Sequence, residues 1–231
     1  MRRCLHYFTK TERLLWGGSV FIICASFFLF GGADYLSLTA SLVGATALIF
    51  CARGNPVGQV LVIIFSLLYS YISYTFTYYG EMLTYLGMTM PLATVALISW
   101  LRHPFAGNHA EVEISRLTAK QVLVGAAASL GVTYVFYFLL RDLGTANLIP
   151  STVSITTSFF AAYLTLLRSP WYAVAYATND VVLIVLWTLA AMSDWSYLPV
   201  LVCFVIFFVN DIYGFWSWRA MQRRQESGTL H

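Results

Sequence analysis

The chain has 231 residues, of which 59% are hydrophobic, 17% aromatic and only 10% charged, against about 25% charged in a typical soluble domain. Thirteen Lys+Arg and ten Asp+Glu cannot clothe a water-facing surface, and the mean hydropathy of +0.73 points the same way. An ordinary soluble domain is excluded and an integral membrane protein implied, with the lipid bilayer as its main partner. The net charge of +3, with no charge run and no basic helix, gives no nucleic-acid partner. Cys4, Cys24, Cys51 and Cys203 form no CxxC and no zinc spacing. They read as small buried hydrophobes, and neither a metal nor a cofactor is expected.

A spanning helix needs about 20 mainly apolar residues. Eight such segments follow in chain order, at 13–32, 35–52, 57–77, 82–101, 121–140, 151–167, 171–192 and 198–218. The leading stretch MRRCLHYFTKTER is too polar for a signal peptide, so the first segment is expected to be a retained helix. Lys and Arg then set the direction. Twelve of the thirteen fall in the N-terminal tail, the turns after segments 2, 4 and 6, and the C-terminal tail; Arg141 alone falls on the other side. Both termini are therefore expected in the cytoplasm. Removing one helix would scatter the positive charges over both faces, which constrains the count to eight.

Sliding the chain on itself by 114 residues places Ser37 on Ser151, Ala47 on Ala161 and Pro56 on Pro170. Segments 2–4 and 6–8 then form two three-helix units of the same direction, and segment 5 supplies the extra crossing between them. The expected fold is an all-α integral membrane protein of eight transmembrane helices. It has an N-terminal extra helix plus two parallel three-helix bundles joined by a linker helix, the 3+1+3 plan of SWEET-like transporters. The divisions are 1–34 for the tail and extra helix, 35–102 for the first unit and 103–150 for a polar cytoplasmic loop and the linker helix. The second unit is 151–219 and a cytoplasmic tail 220–231.

Carboxyl groups are costly inside a bilayer and rare unless used. Asp180 sits near the middle of segment 7 beside Asn179, and Asp211 in the inner half of segment 8 beside Asn210. Adjacent helical positions are about 100° apart, so one member of a pair can face a cavity and the other a neighbouring helix. Tyr172, Tyr176, Asn179 or Asp180, Leu183 and Trp187 make one stripe on segment 7. Glu81, Thr84, Tyr85 and Met88 line a face of segment 4, which Pro91 can kink, and Gln59, Ser66, Tyr69 and Ser73 make a milder polar stripe on segment 3. Aromatic faces with amide and hydroxyl groups suit a flat, polar, partly cationic solute. The candidate site is Tyr69, Thr84, Tyr85, Tyr176, Asn179, Asp180, Trp187 and Asn210. For Asp180 a structural interhelical hydrogen bond is the alternative, and for Asp211, near the cytoplasmic end, the structural reading is preferred. Tyr78, Tyr79, Trp195, Tyr197, Trp216 and Trp218 sit at helix ends and read as interfacial belts. No GxxxxGK[ST], HExxH or GxSxG occurs, and all four histidines lie in tails or the central loop. An ATP motor, a metallohydrolase and a serine hydrolase therefore have no visible apparatus.

The stretches RSPWYAVAYATNDVVLIVLW (168–187), FVNDIYGFWSW (208–218) and GNPVGQ…SLLYSYISYTFTYYGEMLTYLGM (54–88) resemble the PnuC-type vitamin transporters over about residues 35–219. The family's D-V-x-x-x-x-L-aromatic stretch is met by Asp180, Val181, Leu186 and Trp187, and its Y-x-[DE]-M by Tyr79, Glu81 and Met82. The resemblance implies a homotrimer in the bacterial cytoplasmic (inner) membrane. It also implies facilitated diffusion of nicotinamide riboside, which a cytoplasmic nucleoside kinase then traps. It implies a site with aromatic residues around the ring and polar ones on the ribose; the polar-aromatic stripes then suggest Tyr176 and Trp187 against the ring and Tyr85, Asn179, Asp180 and Asn210 on the amide or ribose. The chain departs from the W-x-x-W-x-x-x-[DN] pattern of many members, with Ala173 and Tyr176 at the two tryptophan positions. Thiamine or riboflavin, and proton coupling through Asp180, stay open as alternatives, and a membrane enzyme or structural subunit is the reading from another class.

Overall fold

The computed structural model describes residues 7–31, 35–75, 79–145 and 147–228. Helix α1 (Lys10–Ser26) starts from a reciprocal cap in which the Thr9 hydroxyl accepts the Glu12 N–H and the Glu12 carboxylate accepts the Thr9 N–H. It runs on into a wide π-type turn, Phe27–Gly31. Helices α2 (Tyr35–Ala52) and α3 (Val57–Thr75) follow. Helix α4 spans Tyr79–Arg102, with a π-type turn at Tyr85–Thr89 just ahead of Pro91. That proline has no N–H to give the carbonyl four residues back, and the Met90 N–H bonds the Tyr85 carbonyl instead. Then come α5 (Ala119–Asp142), α6 (Leu148–Leu166), α7 (Trp171–Ser193), a 3₁₀ turn at Trp195–Tyr197, and α8 (Leu198–Gly228). Eight helices among the described residues are long and apolar enough to cross a membrane, the number expected.

Two local features go beyond the sequence reading. The loop after α4 is not wholly irregular, because strands β1 (Pro104–Phe105) and β2 (Asn108–Val112) pair antiparallel. Ala106 and Gly107 both take positive φ between them, the geometry that closes a two-residue hairpin. The C-terminal tail does not leave the fold at residue 219, since α8 continues to Gly228 and binds this loop. Gln225 donates to Glu111 (2.9 Å) and to the Val112 carbonyl (3.0 Å), and accepts the Ile114 N–H (2.9 Å). Arg224 and Glu111 pair beside it.

Six helices pack into a ring: α2 on α3, α3 on α4, α4 on α6, α6 on α7, α7 on α8, and α8 back on α2. Helix α1 leans outside against α2 and α8, and α5 outside against α6. Their outer faces, with Phe21 and Phe28 on α1 and Leu123, Leu130 and Tyr134 on α5, are exposed and apolar, as a lipid-facing surface must be.

The 114-residue offset recurs in the backbone. At the end of α2, Asn55 N–H bonds the Phe50 carbonyl and Gly54 N–H that of Cys51; at the end of α6, Ser169 N–H bonds Leu164 and Arg168 N–H bonds Thr165. These are Schellman closures, which need a left-handed residue, and it is Gly54 at φ 65 in one turn and Arg168 at φ 57 in the other. The side chains of Asn55 and Ser169 each then accept the N–H two residues on, from Val57 and Trp171. The central loop binds both turns at equivalent atoms, Val112 N–H to the Gly54 carbonyl and Ser115 N–H to that of Arg168.

Candidate functional site

The ring encloses a cavity of about 110 Å³. All six ring helices line it, and neither α1 nor α5 does. Helix α7 supplies Tyr172, Tyr176, Asn179 and Asp180 at the three- and four-residue steps that keep side chains on one face. Helix α4 supplies Glu81, Thr84 and Tyr85, where the π-type turn begins. Helix α3 adds Gln59 and Phe65, and α8 adds Phe204, Phe207 and Asp211. Helix α6 contributes the hydroxyls of Ser154, Ser158 and Thr165. Three carboxyl groups face this space, and no Lys, Arg or His lines it among the described residues.

The polar side chains are held rather than loose. Asn179 accepts a hydrogen bond at 2.8 Å from Thr157 of α6. Thr84 donates to the Gly80 carbonyl, and Ser158 to that of Ser154. Asp180 and Asp211 meet side chain to side chain, and each is only 4% exposed. One Asp180 oxygen, Oδ2, is buried without a hydrogen-bond partner. The aromatic rings brace one another: Tyr69 and Tyr85 lie 4.5 Å apart between centroids, Phe65 lies 5.8 Å from Tyr85 and 6.0 Å from Phe207, and Tyr172 lies 6.2 Å from Tyr176.

A second chamber of about 160 Å³ lies beyond, towards the face opposite the arginine-rich turns. Tyr69, Trp187, Tyr197 and Cys203 line it. Phe65, Glu81, Phe204 and Phe207 border both chambers and form the partition between them. Trp187 stacks on Phe204, with centroids 6.4 Å apart and planes 11° apart. At the outer rim, the exposed Asp194 carboxylate accepts the Ser196 backbone N–H at 2.9 Å, which holds its pKa below the usual carboxylate range.

Of the expected site residues, Thr84, Tyr85, Tyr176, Asn179 and Asp180 come together on the central cavity, and Tyr69 and Trp187 on the outer chamber. Asn210 joins neither. Its amide donates to Ser19 of α1 at 3.1 Å and to the Ile206 carbonyl at 2.8 Å, so it takes the structural role, and its neighbour Asp211 faces the cavity in its place. The two adjacent positions divide between cavity and helix interface, but in the opposite sense to the one expected. Tyr172, Gln59, Phe65 and Phe207 also line the cavity. Tyr172 and Gln59 lay on the polar or aromatic stripes, while Phe65 carried no polar signal. Trp218 is no interfacial belt: it is 0% exposed, and its indole N–H donates to the Cys51 carbonyl at 2.8 Å. Trp195 and Trp216 are exposed, and Tyr78 lies outside the described residues.

A closed ring of spanning helices around a polar, aromatic cavity defines a membrane transporter, and likeness to known proteins gives the same class. The chain matches the family described as nicotinamide mononucleotide transporter over residues 34–220 and belongs to that transporter family, not to an enzyme family. It is 30% identical over 206 residues to the nicotinamide riboside transporter PnuC of Neisseria mucosa, an alignment covering 87% of this chain and 78% of that one. The crystal structure of the vitamin B3 transporter PnuC matches it with a TM-score of 0.81 and 28% sequence identity, over 94% of both chains.

Proposed function

We propose that this protein carries nicotinamide riboside across the membrane by facilitated diffusion. The observation that supports the nucleoside over the mononucleotide of the family description is the charge of the central cavity. Glu81, Asp180 and Asp211 face it and, among the described residues, no basic side chain does. A phosphate carrying about −1.5 to −2 charges would meet three acids and no counter-ion, whereas the pyridinium ring of the riboside is a cation that acids and ring faces attract. Tyr176 and Tyr85 stack on or cap the ring, Asn179 and Asp180 bond the carboxamide or ribose, and Thr84 lines the approach. Tyr69 and Trp187 serve the outer chamber, through which the solute reaches the cavity.

The transport cycle is a rocking of α2–α4 against α6–α8 about the cavity, and the shared turn geometry at the 114-residue offset supports two equivalent units. The remaining expectations accompany this reading: a homotrimer in a bacterial inner membrane, both termini in the cytoplasm, and trapping of the product by a cytoplasmic nucleoside kinase.

Uptake into proteoliposomes tests it, with labelled nicotinamide riboside, its mononucleotide, thiamine and riboflavin offered in turn. Saturable uptake of the riboside with neither ATP nor an imposed ion gradient is the expected result, with the mononucleotide excluded. Equal uptake of the mononucleotide would refute the charge argument. Unchanged uptake by a Tyr176→Ala, Asn179→Ala double variant would refute the site.

A further inference from the structure

We infer that a side chamber between α4, the α5–α6 turn and α7 is an entry site for the cationic ring, where Glu81 selects the solute and hands it to the central cavity. This rests on the function proposed above and deepens it, by adding a second solute site and a residue that sets specificity.

The side chamber measures about 230 Å³. Tyr79 and Glu81 line it from α4, Thr145 and Asn147 from the turn before α6, and Leu186 and Trp187 from α7. Gly144 and Asn147 at its rim are exposed, so it opens on the face opposite the arginine-rich turns. Glu81 borders the side chamber, the outer chamber and the central cavity, and no other residue borders all three. It is also the one residue that the side chamber shares with the central cavity. Trp187 borders both outer spaces. A solute entering by either therefore meets the Trp187 ring and the Glu81 carboxylate before the centre. Tyr85 stands one turn further along the same face of α4, on the central cavity that Asp180 also lines.

Glu81 is placed to attract a cation with no bond made or broken. Asp180 and Asp211 are each 4% exposed, but Glu81 is only half-buried, so water in the chambers reaches its carboxylate. It stands in the first turn of α4, where the free N–H groups of the helix favour a negative charge. Among the described residues it forms no ion pair and accepts no hydrogen bond, and no Lys, Arg or His lines any of the three spaces. A pyridinium displaces only water from it; an uncharged ring gains less, and an anion is repelled. Thr145 is the second observation. It lines the side chamber, and its Oγ1 is buried without a hydrogen-bond partner, whereas buried polar groups are nearly always paired. That oxygen lies against the backbone next to Glu81, for a Cβ on Gly80 would stand 2.7 Å from it. One solute carrying a ring cation and ribose hydroxyls completes both groups at once.

The test measures uptake by the full-length protein in proteoliposomes, with labelled nicotinamide riboside and its uncharged 1,4-dihydro form. Variants are first checked for thermal unfolding like that of the parent. The parent is expected to favour the cation. Glu81→Gln is expected to raise KM for the riboside roughly tenfold and to leave KM for the dihydro form unchanged. It is expected to keep kcat, the split that marks lost binding and not a slowed transport step. Glu81→Asp draws the charge back by one methylene; a smaller loss in the same direction is expected, and it decides the matter if the Gln variant does not fold. Thr145→Val keeps the shape and removes the hydroxyl, and is expected to raise KM about threefold for both forms, since both carry the ribose. Equal losses for the two forms in the Glu81 variants, or a loss in kcat alone, overturn the selection and mark a structural role. Unchanged uptake by Thr145→Val overturns the side chamber as the entry site. Uptake of both forms alike by the parent overturns the selection and leaves the transport reading standing. Uptake of neither overturns the transport reading and the inference together.

Discussion

The ring's two ends are closed by different kinds of contact. At the arginine-rich end, Trp100 of α4 donates its indole N–H to the Thr165 carbonyl of α6 at 3.0 Å, and Trp218 of α8 donates to the Cys51 carbonyl of α2 at 2.8 Å. Thr165 and Cys51 are 114 residues apart. The third helix of each unit therefore caps the first helix of the other, and the two indoles meet at 5.4 Å, both 0% exposed. The hairpin loop and the end of α8 then cross over both capped turns. At the opposite end the chambers are bounded by ring-on-ring contacts such as Trp187–Phe204 and Trp187–Tyr197. Those contacts slide at little cost, while buried N–H to carbonyl bonds must be broken. The difference teaches that the structure is shut at the arginine-rich end, and that opening there must release both tryptophan locks, which work between units rather than within them.

The largest effect is expected from the locks. Trp218→Ala empties a filled site and takes one of two hydrogen bonds from the Cys51 carbonyl, which the Gly54 N–H still meets, at a cost of about 3–5 kcal/mol; Trp100→Ala is expected to match it, because the geometry is repeated at Thr165, which keeps the Arg168 N–H. Thermal unfolding in detergent measures both. A loss at only one of the two positions would break the idea of a symmetric seal. Trp218→Phe distinguishes ring packing from hydrogen bonding, since it keeps a ring and loses the N–H, and is expected to cost about 0.5–1.5 kcal/mol.

Gln225→Ala comes next. It removes three hydrogen bonds between α8 and the central loop, and leaves the Ile114 N–H and the Val112 carbonyl without that partner. A cost of about 1–3 kcal/mol is expected, with faster proteolysis in the 103–118 loop as the readout and no faster cleavage at the other face. The partition between the chambers is tested by Gly44→Ala. A Cβ there would stand 2.6 Å from the Phe207 ring and 3.2 Å from Phe65. Overpacking of this kind costs about 1–3 kcal/mol, and pressing on the partition is expected to slow uptake. Phe207→Leu in the same chain makes room and is expected to restore some of the rate. Failure to restore it would separate the partition from the pathway.

What was legible in the sequence follows from period and cost. The eight spans were legible because twenty apolar residues in a row have few other uses. Asp180 was legible because an intramembrane acid is rare. Asp211 carried the same signal, but its place near the end of the helix argued for a structural role. The cavity reaches further towards that end than a midplane site would, and only the packing of α2 against α8 shows this. Asn210 and Asp211 stand one helical step apart, so sequence predicts that they diverge but not which of them turns inward; Ser19 of α1 decides it. The Trp218 lock was hidden for another reason. A tryptophan at a helix end looks the same whether it meets headgroups or a carbonyl 167 residues away. The hairpin at 104–112 and the helical tail were unreadable because each is stabilised by the other, through contacts more than 100 residues apart.

The smallest effect compares the two capped turns directly. Gly54 and Arg168 occupy equivalent left-handed positions, and each offers its carbonyl to the central loop. For a residue with a Cβ that conformation costs roughly 1–2 kcal/mol; glycine adopts it freely but loses about 0.5–1 kcal/mol more backbone entropy on folding. Arg168 brings little to offset its strain. Its Nε is buried without a partner, and burial lowers its pKa. Arg168→Gly keeps the carbonyl that Ser115 binds and is expected to stabilise the protein by about 0.5–1 kcal/mol. Gly54→Ala acts in the opposite direction, since its Cβ meets the strained conformation and the Val112 side chain at 3.1 Å. Opposite signs at two positions 114 residues apart would tie the repeat to energetics as well as to geometry. Equal signs would mean that the loop, and not the turn, decides what each position tolerates.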